Sequence, residues 1–124
     1  MSNIILWILQ VLMAAGFLYS GICKTVLPPK KLVAIGQTGV EGLSRLSVRI
    51  IGILELAGVA GLIVPVYFDI MPWLTPVAAF CLAAIMPFAA RIHYQRNELR
   101  NVFVNIAYFL IAVLVALGRI WISQ

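Results

Sequence analysis

Residues 49–62 read RIIGILELAGVAGL. After Arg49 the stretch is Ile, Leu, Gly, Ala and Val, interrupted only by the carboxylate of Glu55. The apolar run continues to Pro65, the length and composition of a helix that crosses a lipid bilayer. A charge inside such a helix costs several kcal/mol unless it faces protein, water or a partner, so Glu55 must turn toward the interior of a bundle.

The whole chain is consistent with that reading. It has 124 residues, 64% of them hydrophobic and only 10% charged. That is the composition of an integral membrane protein, and the length makes it one domain, 1–124, with room for four spans and no separate soluble part.

The spans follow from charge and proline. The first, roughly 4–27, carries no charged side chain before Lys24 and is stopped by Pro28 and Pro29. Its start has no Lys or Arg, which predicts a retained helix rather than a cleaved signal. The second is roughly 47–68. The third, roughly 73–92, begins at PWLTP with Pro76 in the first turn, and Pro87 predicts a later kink. The fourth, roughly 102–122, is free of charge from Val102 to Gly118. Period-two alternation is absent, so the expected fold is an all-α four-helix bundle and not a β-barrel.

Basic residues set the expected orientation. Lys24, Lys30, Lys31, Arg45 and Arg49 flank the first connection, and Arg91, Arg96 and Arg100 the third, whereas the second holds only Asp69. The positive-inside rule then makes the first and third connections cytoplasmic and puts both termini outside, in a cell membrane expected to be a bacterial inner membrane. Trp7, Trp73 and Trp121 fall on the outer boundary of this topology, where indole rings prefer to lie. Arg119, near the same boundary, is expected to snorkel to it.

The first connection, residues 28–46, is expected to be an interfacial loop on the cytoplasmic face with its lysines against anionic lipid. Lys31–Ile35 can form one turn, Glu41 and Arg45 have i,i+4 spacing, and glycines at 36, 39 and 42 argue against one continuous helix. The net charge of +5 therefore reads as topology and lipid contact, and no basic stripe interleaved with aromatics points to nucleic acid.

Helical rise puts Glu55 about 12 Å from the cytoplasmic end of the second span and Lys24 about 5 Å from that end of the first. Gly52 and Gly58 flank Glu55 at i−3 and i+3, while Gly16, Ser20 and Lys24 line one face of the first span with Gly21 beside them. Small residues let the two helices approach closely. Two arrangements are open: a Lys24–Glu55 pair, or Lys24 at the headgroups with Glu55 protonated or bonded to Ser20, Tyr108 or water. Asn105 and Tyr108 of the fourth span reach the same depth, with Ala112 continuing their face. His93, placed on a face with Pro87 and Ala90, marks the mouth of the cluster. Each has a plainer alternative, as interfacial histidine, helix-packing amide or boundary aromatic.

FLYSGICKTV (17–26), GILELAGVAGLIVP (52–65), LTPVAAFCLAAIM (74–86) followed by His93, and LVALGR (114–119) resemble, in that order, the DoxX-like family of small membrane proteins. The combination of Lys24 and Glu55 is the most specific part. The resemblance implies a four-helix membrane bundle with Lys24, Glu55 and His93 as the family's polar positions. It also implies a quinone-linked redox association, because the family takes its name from a subunit of an archaeal thiosulfate:quinone oxidoreductase. Most members have no assigned activity.

The expected site is therefore a polar pocket of Ser20, Lys24, Glu55, His93, Asn105 and Tyr108 that holds a quinone or similar amphipathic ligand. Lys24, His93 or Tyr108 would donate to a ring carbonyl and Glu55 would exchange a proton. No haem-type histidine pair, Cys-x-x-Cys, nucleotide-binding glycine loop or metal motif accompanies it, so a membrane or peripheral redox subunit is the expected partner. Cys23 and Cys81 lie roughly 10 Å apart in depth, too far for a disulfide. Two other classes compete: an assembly factor or structural subunit in which Lys24 and Glu55 fix helix register, and a small proton-coupled transporter, which would work as a homo-oligomer. In no case is the chain expected to be catalytic alone.

Overall fold

The computed structural model describes residues 2–121. Four long helices, α1 (Asn3–Val26), α3 (Arg45–Phe68), α4 (Leu74–Gln95) and α5 (Leu99–Trp121), are apolar enough to cross a membrane. A short helix, α2 (Pro29–Ala34), and one 3-10 turn, Thr38–Val40, lie between α1 and α3. The described residues contain no strand. The expected spans are found within a few residues; position 122 lies outside the described residues.

Local chemistry explains where the helices start and stop. Ser2 and Ser44 cap α1 and α3, each hydroxyl accepting the N–H three residues on, from Ile5 and Ser47. Pro28 and Pro29 end α1 and open α2, where the missing N–H costs nothing. Three helices close in the same way, with one residue in the left-handed region and the next N–H reaching back five residues. Gly36 (φ 96°) does this after α2, Asp69 (φ 52°) after α3 and Asn97 (φ 60°) after α4. The returning bonds are Gln37 N–H to Leu32, Ile70 N–H to Pro65 and Glu98 N–H to His93.

Neighbouring helices pack in the order α1, α3, α4, α5, and the ring is completed by a sparser contact between α5 and α1. Met13 and Phe17, Leu62, Leu82 and Met86, and Ala112 and Val115 build the central core. A second, smaller core of Leu32, Val40 and Val48 lies at the loop end. The residue distribution is that of a lipid-facing protein. Outward side chains are large and apolar, such as Ile8, Ile53, Phe88 and Phe103, while Gln10, Glu55, Thr75, His93 and Arg119 are buried.

Several expectations need correction. Segment 28–46 does not simply lie on the face: Leu32, Thr38 and Val40 are buried, so it folds back under the bundle. Glu41 pairs with Arg96 instead of Arg45, because the chain turns at Gly42 (φ 81°) and breaks the helical spacing. Pro87 is exposed on α4, and His93 shares the buried face of Leu82, Ala83 and Met86 instead. Arg119 points inward, since it continues the buried Ala112, Val115 and Ala116 of α5.

Candidate ligand-binding site

Glu55 is 1% exposed, and both of its oxygens are bonded. Lys24 Nζ donates to Oε2 at 3.0 Å and Ser20 Oγ donates to Oε1 at 2.8 Å. Of the two arrangements left open by the sequence, the Lys24–Glu55 pair is the one found, and of the contacts expected in the other only the Ser20 bond accompanies it. The approach of α1 to α3 allows this. A Cβ on Gly52 would come within 2.8 Å of Lys24 Cβ and 3.0 Å of the Gly21 carbonyl, so a bare Cα is required where the helices cross. Gly58 serves a different neighbour, receiving the side chain of Leu82 from α4.

Tyr108 forms no hydrogen bond with Glu55. Its hydroxyl lies against Gly16, and its ring meets Phe17 edge to face at 5.9 Å. Asn105, one helical turn earlier, holds its side-chain nitrogen buried with no acceptor among the described residues. Ser20, Lys24, Glu55, His93, Asn105 and Tyr108 all line one cavity of about 380 Å³. Phe17, Ile85 and Met86 make its apolar wall, and the segment Ile35–Gln37 with Gly39 and Val40 closes the loop end.

His93 belongs to a second polar cluster that the sequence reading missed. Its Nδ1 lies 2.8 Å from Glu98 Oε1 and 3.1 Å from Thr38 Oγ1, and the threonine hydroxyl donates to the same carboxylate oxygen at 2.5 Å. Arg96 Nε donates to Glu98 Oε2 at 3.2 Å and also pairs with Glu41. Bonds from His93 and Thr38 hold the Glu98 carboxyl far below its ordinary 4.5, at about 2. The reversal at Asn97 places Glu98 beneath His93, so the readable signal was an asparagine just past a helix end.

At the opposite end of the bundle Arg119, 3% exposed, donates to Gln10 Oε1 at 2.5 Å and Asn3 Oδ1 at 2.6 Å and stacks over Trp7 at 5.4 Å. Gln10 in turn donates to the Leu62 carbonyl at 2.6 Å. This cluster ties α1, α3 and α5 together, and none of its residues lines the cavity.

Among the described residues no group of three or more His, Cys, Asp or Glu is placed to hold a metal ion, and Cys23 and Cys81 are free thiols. Comparison with protein families finds a match over residues 8–115 to the model described as the DoxX-like family. The chain belongs to the DoxX-like family. Neither the curated proteins nor the solved structures contain a match. Lys24, Glu55 and His93 of this DoxX-like protein all lie within the matched region and all face the same cavity.

Proposed function

We propose that this DoxX-like protein binds an amphipathic ligand of the quinone class in the cavity at the loop end of its bundle, as part of a membrane redox system. The observation that supports this is the state of Lys24. An ammonium has three N–H donors, and Lys24 uses one of them, on Glu55, while lining the cavity. The remaining donors match the carbonyl oxygen of a ring ligand. Phe17, Ile85 and Met86 offer that ring an apolar wall.

The dimensions fit as well. Ligand cavities span about 300–1,000 Å³, mostly apolar with a few polar groups, and this one is about 380 Å³. Exposed Tyr19 and Val104 belong to its lining where α1 and α5 meet sparsely, which leaves a lipid-side path for an isoprenoid tail. By the distribution of basic residues the cavity lies toward the cytoplasm and the termini outside. When bound, a quinone would supply a ring able to take up electrons and protons; the chain's own residues hold it, with Lys24 donating and Glu55 fixing Lys24. The electrons require a partner subunit.

The test is mass spectrometry of small molecules retained by protein purified gently from its own membrane. A prenylquinone in the wild type, absent from a folded Lys24→Met/Glu55→Leu variant, is the expected result. No retained quinone, or equal retention by the variant, overturns the reading and leaves the pair a purely structural role.

A further inference from the structure

His93 is the only histidine of the chain, and its two ring nitrogens have different surroundings. Nδ1 faces Glu98 Oε1 at 2.8 Å. Glu98 is ionised, bonded as it is to Thr38 and Arg96, and a carboxylate can only accept. A lone pair on Nδ1 at that distance would repel it, so in the neutral ring Nδ1 carries the hydrogen and Nε2 is the bare acceptor.

Nε2 has no hydrogen-bond partner among the described residues. It lies beside Gly39, where a Cβ would come within 3.1 Å, and Gly39 and His93 both line the cavity. The missing side chain at position 39 therefore leaves this lone pair open. The charged groups joined to it or sharing the cavity are Glu98, Arg96 with Glu41 behind it, and the Lys24–Glu55 pair; the polar residues of α5 that line the cavity, Asn101, Asn105 and Tyr108, are neutral.

We propose that His93 Nε2 is the acceptor for a ligand hydroxyl, so that the cavity discriminates a hydroquinone, which has an O–H to give, from the corresponding quinone, which does not. This rests on the quinone-class reading and reverses one sequence expectation, that His93 donates to a ring carbonyl. Glu98 and Thr38 act as positioning residues: they fix the tautomer without touching the ligand. A site built to receive a hydrogen bond rejects analogues that lack the hydrogen.

A single histidine makes the experiment direct. Protein labelled with ¹⁵N-histidine is placed in lipid nanodiscs, at a pH where its ring is neutral, with three probes: a decyl-tailed benzohydroquinone kept reduced, its quinone and its dimethyl ether. The expected spectrum shows Nδ1 protonated and Nε2 bare, and only the hydroquinone shifts Nε2. By calorimetry the hydroquinone binds about tenfold more tightly than the other two, the effect of one hydrogen bond, and the preference disappears in Gly39→Ala and His93→Phe. Gly39→Ala keeps the test valid if the His93 variant fails to fold. A ring protonated on Nε2, or hydroquinone that binds without moving Nε2, overturns the inference while the quinone-class reading stands. Binding of none of the three probes overturns that reading and this inference with it.

Discussion

Lys24 and Glu55, 31 positions apart and on different helices, meet at 3.0 Å with the carboxylate 1% exposed. Removing one partner leaves the other charge uncompensated in an apolar interior, which costs about 3–5 kcal/mol, whereas replacing both by apolar groups of similar volume is often neutral. Lys24→Met and Glu55→Leu are each expected to destabilise the bundle by about that amount and the double variant to unfold close to wild type. Thermal unfolding of the four proteins in one detergent, followed by circular dichroism, checks it. A double variant no more stable than the singles contradicts the pairing.

Thr75 Oγ1 donates to the Gly61 carbonyl at 2.9 Å. Pro65, inside α3, has no N–H, so the carbonyl four residues earlier has lost its helical donor, and the hydroxyl from α4 takes that place. Thr75→Val is therefore expected to cost about 1 kcal/mol in the wild type. In a Pro65→Ala background, where position 65 regains its N–H, the same change should cost measurably less. Equal losses in both backgrounds would show that the threonine does not replace the missing bond.

Arg119 is held by the Asn3 and Gln10 side-chain oxygens and by the face of Trp7, a geometry that uses the planar fork of a guanidinium. Arg119→Lys keeps the charge and loses the fork. It is expected to lower stability by about 1–3 kcal/mol, the cost of leaving a buried amide oxygen without a donor. A residue that merely snorkelled to the boundary would tolerate lysine, so wild-type unfolding temperature in this variant counts against the buried cluster.

Glu98 gives the loop end a pH dependence with a defined sign. Its folded pKa, about 2, lies below the ordinary 4.5, so its contribution is complete above pH 4.5 and is lost as pH falls toward 2. Thr38 and Arg96 release it together, and the segment they pin is expected to loosen first. The protection of residues 36–42 against hydrogen exchange, taken relative to the intrinsic rate at each pH, should fall between pH 4.5 and 2, and Glu98→Gln should show the lower protection already at neutral pH. Protection independent of both would dissociate Glu98 from the loop.

The sequence made some of this readable for physical reasons. Glu55 stood out because a lone acid in an apolar run has to be enclosed, and the Gly16, Ser20, Lys24 strip pointed to the helix that encloses it. Asn105 and Tyr108 followed from depth along a regular helix. Thr38, Gly39 and Glu98 did not, since they belong to connections whose path is set by tertiary contact and not by a period. Arg119 was misread although its information was present: it continues the spacing of Ala112, Val115 and Ala116, and that periodicity outweighs its nearness to the boundary.

The partnership of α1 with α3 also bears on how the protein is made. During synthesis the segment carrying Lys24 emerges before the one carrying Glu55, so the acid leaves the insertion machinery with its counter-ion already waiting in the adjoining hairpin. Exchanging the two side chains would keep the finished pair but send a solitary carboxylate in first. Biogenesis, more than the folded state, would register the difference.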